Sequence, residues 1–266
     1  MKNPIVTLLT DFGTKNHYVA SMKGVILRIN PQCTLIDITH QVSPQDIREG
    51  AFLLASTCPY FPKGTIHVSV VDPGVGGPRR PILIMTKNYF FVGPDNGLLT
   101  LAAQKDGIKQ IVTLSHKEYF LPDVSHTFHG RDIFSPVAGY LSLGVHPKAF
   151  GEKTHDRVEL DLGQPRLKRD QLMGEIIHID GFGNLVSNID RKELSRFIKN
   201  RPFLIKAGKG TIKGLKRGYW EGKNSELMAL WGSSGFLEIS VREGNAQKCL
   251  KLKRGNQIMV SVISEQ

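Results

Sequence analysis

Cysteine is scarce in this chain: Cys33, Cys58 and Cys249 stand far apart among 266 residues. An odd count at irregular spacing argues against a disulfide framework or a zinc site and fits reduced thiols in a cytoplasm. Long apolar runs are missing as well. Residues 51–55 (AFLLA) fall far short of the roughly 20 needed for a membrane helix. The start, MKNPIVTLLTDFG, breaks at Asp11 before any secretory core and small-residue cleavage pattern can form. Nine histidines include no HxH or HxxxH pair, so no metal is expected. The glycine-rich stretch at 74–77 (GVGG) is neither GxGxxG opening a helix nor a Walker loop, which weakens a dinucleotide or nucleotide triphosphate reading.

What is abundant is positive charge, +11 overall. Residues 1–164 carry 16 basic and 14 acidic side chains, whereas residues 165–266 carry 19 and 10. A basic C-terminal third can attract nucleic acid. No zinc-finger, helix-turn-helix or RNP signature accompanies it, so solvation of a small domain is the simpler account, and neither a nucleic-acid nor a membrane partner is expected.

The first part alternates strand and helix patterns. Strands are predicted at 5–9, 34–38, 65–71, 82–86, 89–92 and 111–114, with helices at 17–29, 46–57 and 131–143. That alternation predicts an α/β fold, a mostly parallel sheet covered on both faces. Beyond the polar segment 163–166 the pattern changes to short alternating runs at 175–179, 203–206, 226–231, 236–241 and 257–263, between Gly-rich turns. These predict a smaller C-terminal β-barrel-like domain. The expected division is 1–167, an α/β domain with catalytic loops, and 168–266, a β domain completing the nucleoside site.

Ligands of open α/β sheets bind beyond the carboxyl ends of the strands. Asp11 follows the first predicted strand and Asp72 the third. The loop after Asp72 runs on to Arg79 and Arg80, and His129 precedes a helix. Each has a plain alternative: Asp11 and Asp72 as turn residues, His129 as a helix cap or core histidine, the arginines as solvated charges. In the C-terminal part, the turns DGFGN (180–184) and WGSSG (231–235) are also consistent with ordinary hairpin chemistry.

The motifs LLTDFG, FPKGTIHVSVVDPGVGGPRR, GPDNGLL, TFHGRDIFSPVAG, IDGFGN and WGSSGFLEIS, in this order along nearly the whole chain, resemble the S-adenosylmethionine hydroxide adenosyltransferases, adenosine-forming S-adenosylmethionine hydrolases related to fluorinase and chlorinase. The resemblance implies an α/β domain followed by a β-barrel-like domain, and a homotrimer with sites at subunit interfaces. It implies a catalytic set of Asp72, Arg79 and His129, with Asp11 holding the ribose diol. Asp180 would lie near the methionine amino group and Asn184 against adenine. Ser233, Glu238 and the backbone around Val241 would line the nucleoside and amino-acid pocket. The register from 238 to 246 is the part least fixed by the motifs.

The halogenating relatives place tyrosine and threonine where Asp72 and Val75 stand here, and an anionic Asp72 would repel a halide. The resemblance therefore implies attack of water at ribose C5′ of S-adenosyl-L-methionine, giving adenosine and L-methionine, with no cofactor. Halide-dependent 5′-adenosyl transfer and a basic nucleic-acid-binding module with an inactive core are the competing expectations.

Overall fold

The computed structural model describes residues 3–263 and divides into two compact units, Met1–Leu160 and Asp161–Gln266. Among the described residues no helix is long and apolar enough to cross a membrane.

The first unit runs β1 (Ile5–Thr10), α1 (Tyr18–Ile29), β2 (Thr34–Thr39), α2 (Ile47–Thr57), β3 (Ile66–Val70), β4 (Pro81–Thr86), β5 (Phe90–Pro94), α3 (Thr100–Asp106), β6 (Ile108–Thr113), α4 (Ser135–Ser142) and the short β7 (Lys153–Thr154). Its sheet has the order β2-β1-β3-β5-β4-β6-β7. Strands β2, β1, β3 and β5 pair in parallel, while β4 and β7 run against their neighbours. The expected mostly parallel α/β sheet is present.

Alternation along β1 explains why both faces are covered. Val6 and Leu8 join Met22 and Ile26 of α1 and Val137 and Leu141 of α4 in one core. Leu9 joins Ala51 and Leu54 of α2 and Ala102 and Ala103 of α3 in the other. Side chains of successive strand residues point to opposite faces, so a strand buried on both sides reads as a near-continuous apolar run. The helices hide the strands' flanks and leave the loops at their ends to carry function.

The predicted helix at 131–143 begins differently from a regular helix. Residues Gly130–Phe134 form one π-helical turn before α4 takes over. Such wide turns are rare and occur mostly at functional sites.

The second unit comprises β8 (Arg166–Lys168), β9 (Gln171–Ile179), β10 (Leu185–Asp190), α5 (Arg191–Ile198), β11 (Phe203–Ala207), β12 (Gly210–Lys213), β13 (Leu227–Trp231), β14 (Phe236–Val241), α6 (Ala246–Leu250) and β15 (Gln257–Val262). The antiparallel order is β12-β11-β15-β9-β10-β14-β13, with β8 paired to β9. Just past β12, the Lys216 N–H donates to Ala229 O on β13 at 2.8 Å, so the sheet nearly closes into a barrel. Its interior holds Ile176, Leu185, Ile205, Ile239 and Val260. Helix α5 starts with a capping box: Asp190 accepts from Glu193 N at 2.7 Å and Glu193 accepts from Asp190 N at 3.1 Å.

Candidate active site

In the first unit, the sequence puts Asp72 two residues beyond β3, where the strand's pairing ends and the chain must turn. Val75 N–H donates to Asp72 O and Gly77 N–H to Gly74 O, two successive turns that fold the loop back toward Arg79. Arg79 Nε then donates to Asp72 Oδ1 at 2.9 Å and to Oδ2 at 3.0 Å, and its Nη2 also donates to Oδ2. Both side chains are almost fully buried, with 10% of Arg79 and 4% of Asp72 exposed. A buried pair of this kind needs good geometry to offset desolvation, and the two-nitrogen fork supplies it.

A close backbone approach joins this loop to the one bearing His129. Gly76 has φ +76°, and a Cβ there would lie 2.1 Å from His126 O. No side chain fits, so glycine is required if the two loops are to touch. Downstream, Asp132 is fully buried; it accepts from Ser125 N at 2.9 Å and is paired with Arg131. Ser125 Oγ accepts from Phe128 N at 3.0 Å. The loop is tied at both ends, and His129 sits between the ties.

His129 occupies the cap position of the π-helical turn, yet its side chain makes no capping bond. It instead accepts from Arg79 Nη2 through Nδ1 at 2.8 Å. A guanidinium can only donate, so Nδ1 carries the lone pair and neutral His129 holds its proton on Nε2. Burial, and then the Arg79 charge, push the His129 pKa below the usual histidine value. Arg79 therefore bridges a carboxylate and an imidazole. Its remaining nitrogen, Nη1, is buried with no hydrogen-bond partner among the described residues. A buried donor in that condition calls for an oxygen acceptor.

Asp11 follows β1 as expected. Its Oδ2 accepts from Gln45 N at 2.8 Å, steadying a loop in which Gln45 takes a left-handed φ of +66°. Arg80, in contrast, is turned away to a separate structural role: it pairs with Asp95, whose Oδ1 accepts from Val158 N.

In the second unit, Asp180 and Asn184 lie in the β9–β10 turn and are bonded to each other. Asp180 Oδ1 accepts from Phe182 N and Asn184 N, and Oδ2 from Asn184 Nδ2, each at 2.9 Å. The turn is pressed against Asn245, and Gly183, with φ +85°, has no room for a Cβ beside that side chain. Ser233 is exposed at the tip of the β13–β14 hairpin. Glu238 is buried on β14 opposite Val186 of β10, and Val241 ends β14 paired with Leu227, its carbonyl accepting from Gly244 N.

Tyr219 was not singled out by the sequence. Its hydroxyl donates to Glu238 Oε1 at 2.6 Å, and Ser240 Oγ donates to the same oxygen at 2.8 Å. Burial, the Glu238 bond and the charges of Glu238 and Asp180 hold the Tyr219 hydroxyl well above the usual phenol range. Glu238 thus accepts from two hydroxyls, those of Tyr219 and Ser240. The clue in the sequence was thin, a Tyr-Trp pair among turn residues.

Among the described residues there is no group of three histidine, cysteine or acidic side chains that could hold a metal ion. An α/β unit carrying a carboxylate–guanidinium–imidazole chain on its loops, followed by a nearly closed antiparallel β unit, defines a two-domain class. The chain belongs to the SAM hydroxide adenosyltransferase family: residues 6–151 match the model of its N-terminal domain and residues 174–259 that of its C-terminal domain. It is 39% identical to the (R)-S-adenosyl-L-methionine hydrolase of Methanocaldococcus jannaschii, over 96% of this chain and 95% of that one. It is 34% identical to the protein of the same name from Thermus thermophilus, over 94% and 96%. An uncharacterized conserved protein from Thermotoga maritima, known by crystal structure, superposes with a TM-score of 0.90 at 35% identity, covering 96% of this chain and 99% of its own.

Proposed function

We propose that this chain hydrolyses S-adenosyl-L-methionine to adenosine and L-methionine. Water attacks ribose C5′ in line with the C5′–S bond. The new C–O bond forms as the C–S pair departs to sulfur, leaving methionine a neutral thioether, and the attacking water gives up one proton. The sulfonium is already a good leaving group, so the limiting need is a positioned nucleophile.

The observation that carries this reading is Arg79, locked between Asp72 and His129 with Nη1 buried and unpaired. In this proposal Nη1 donates to the water oxygen and favours hydroxide character as it develops. His129, bonded to Arg79 through Nδ1, steadies the guanidinium, which leaves the second lone pair of the water free to attack C5′. With Nδ1 taken by Arg79, His129 is not the base. Asp72 retains acceptor capacity beyond its bonds to Arg79 and takes the proton.

The other assignments belong to the same proposal. Asp11 keeps Oδ1 for a ribose hydroxyl. Asp180 serves the methionine ammonium, Asn184 the adenine, and Ser233, Glu238 and the Val241 backbone the surrounding pocket. The assembly is a homotrimer with sites at subunit interfaces. A cytoplasmic location accords with Cys33, Cys58 and Cys249 being free thiols.

Incubation of the protein with S-adenosylmethionine, with and without added chloride or fluoride, tests the reaction class. Adenosine and methionine should form at a rate independent of halide. Turnover that requires halide and yields 5′-halo-5′-deoxyadenosine would replace this reading with the transferase one. The relatives' name specifies the (R) sulfonium, so the (R) epimer should be consumed ahead of the (S).

A further inference from the structure

The second unit contains a cavity of ≈ 880 Å³, lined by residues from Pro165 to Ile263 and by none of the residues assigned above. It lies between the β8–β9 hairpin, the exposed flank of α5 and the end of β15. A volume of that order suits a small organic ligand. Its lining combines two kinds of side chain. Leu167, 69% exposed, and Phe197 form an apolar wall with Val262 and Ile263. Arg169, Arg196, Lys199 and Arg201 surround it with four positive charges against two acids, Asp170 and Glu193.

Some of that charge is already engaged. Glu193 belongs to the α5 capping box and feels the Arg196 charge. Arg201 donates to Ile198 O at 3.1 Å and to Phe197 O at 3.4 Å, closing the end of α5. Arg169, Arg196 and Lys199 remain on the cavity.

Two of these three occupy backbone positions that favour glycine. Arg169 has φ +53° in the two-residue turn between β8 and β9, and Lys199 has φ +50° at the α5 C-terminus. A left-handed conformation is costly for a long side chain, and helix C-termini usually place glycine there. Both positions carry a cation and both residues line the one cavity.

We infer that this cavity binds a small organic anion. Its apolar body lies along Leu167 and Phe197, and its phosphate-, sulfonate- or carboxylate-type group rests on Arg169, Arg196 and Lys199. A purely apolar ligand would not need the cations.

Anilinonaphthalene sulfonate, an aromatic anion, is a direct probe on the native full-length protein. Its fluorescence should report saturable binding. Arg196→Gln and Lys199→Gln should each weaken it about tenfold, the loss of one charge-assisted hydrogen bond, and Leu167→Asp should abolish it. Lys199→Gly separates the roles: it should raise the melting temperature by relieving the backbone while still weakening the probe. Circular dichroism and melting on every variant exclude loss of fold. Three results would overturn the inference: no saturable binding; equal binding of neutral phenylnaphthylamine with no effect of the arginine and lysine changes; or displacement of the probe by a short RNA with a steep salt dependence.

Discussion

Arg79 and His129 are 50 positions apart in the chain, yet Arg79 Nη2 donates to His129 Nδ1 at 2.8 Å while the same guanidinium grips Asp72. This arrangement fixes the histidine tautomer, so that the imidazole presents a donor to the outside.

Residues that act as one unit are non-additive in turnover. Arg79→Ala and His129→Ala should each depress kcat strongly, and the double variant should be far less impaired than the product of the two effects. Stability separates the two residues. Arg79→Ala strands the buried Asp72 carboxylate and should cost about 3–5 kcal/mol; adding Asp72→Asn should recover part of that stability and none of the turnover. Denaturant unfolding together with single-turnover rates checks both parts. Multiplicative kinetic losses would separate Arg79 from His129.

The pH profile follows from the same bond. Protonating His129 at Nδ1 means breaking its contact with Arg79, and burial also opposes the charge, so its pKa lies below the ordinary 6.5. The neutral, competent form persists as pH falls through 6.5 and is lost only below that value. The kcat/KM profile should therefore stay flat from neutral pH down through 6.5 and drop beyond it. An acid limb at or above 6.5 would place another group, or a charged His129, in control.

Gly76 is the hinge of the two-loop arrangement. Gly76→Ala places a Cβ against His126 O where 2.1 Å is available, at a φ of +76°. The loops must part, and backbone strain alone contributes about 1–2 kcal/mol. Turnover should fall by more than an order of magnitude, a displacement of about 1 Å being enough for such losses. Circular dichroism of the α/β core should be unchanged. Wild-type turnover in Gly76→Ala would show that contact between the loops is dispensable.

Much of this was legible in the sequence because the parallel strands are two-sided apolar runs, as in IVTLL at β1, and their ends announce themselves with Asp-Phe-Gly and Asp-Pro-Gly. Asp72 and the loop to Arg79 stand beyond a strand and His129 before a helix; their grouping as one set is what the family resemblance implies, and the structure brings those three together. What escaped is local and short. Helix α3 is seven residues long with two buried alanines, too little for a clear period. Strand β10 is hidden because Ser187 and Asn188 are buried polar residues that break its apolar pattern. Helix α5 carries its signal in Asp190 and Glu193, a D-x-x-E capping pattern, but only two turns follow it. The π-helical turn has no sequence period at all. The partnership of Tyr219 with Glu238 joins a short 3-10 turn to β14 across 19 positions, which no spacing rule encodes.

The central claim is that water attacks carbon, at C5′ of the ribose. Turnover of S-adenosylmethionine in ¹⁸O-water, with mass spectrometry of the products, tests it directly. The label should appear in the 5′-hydroxyl of adenosine, one oxygen per turnover, with none in methionine. Unlabelled adenosine, label in another product, or 5′-methylthioadenosine as the main product would contradict it.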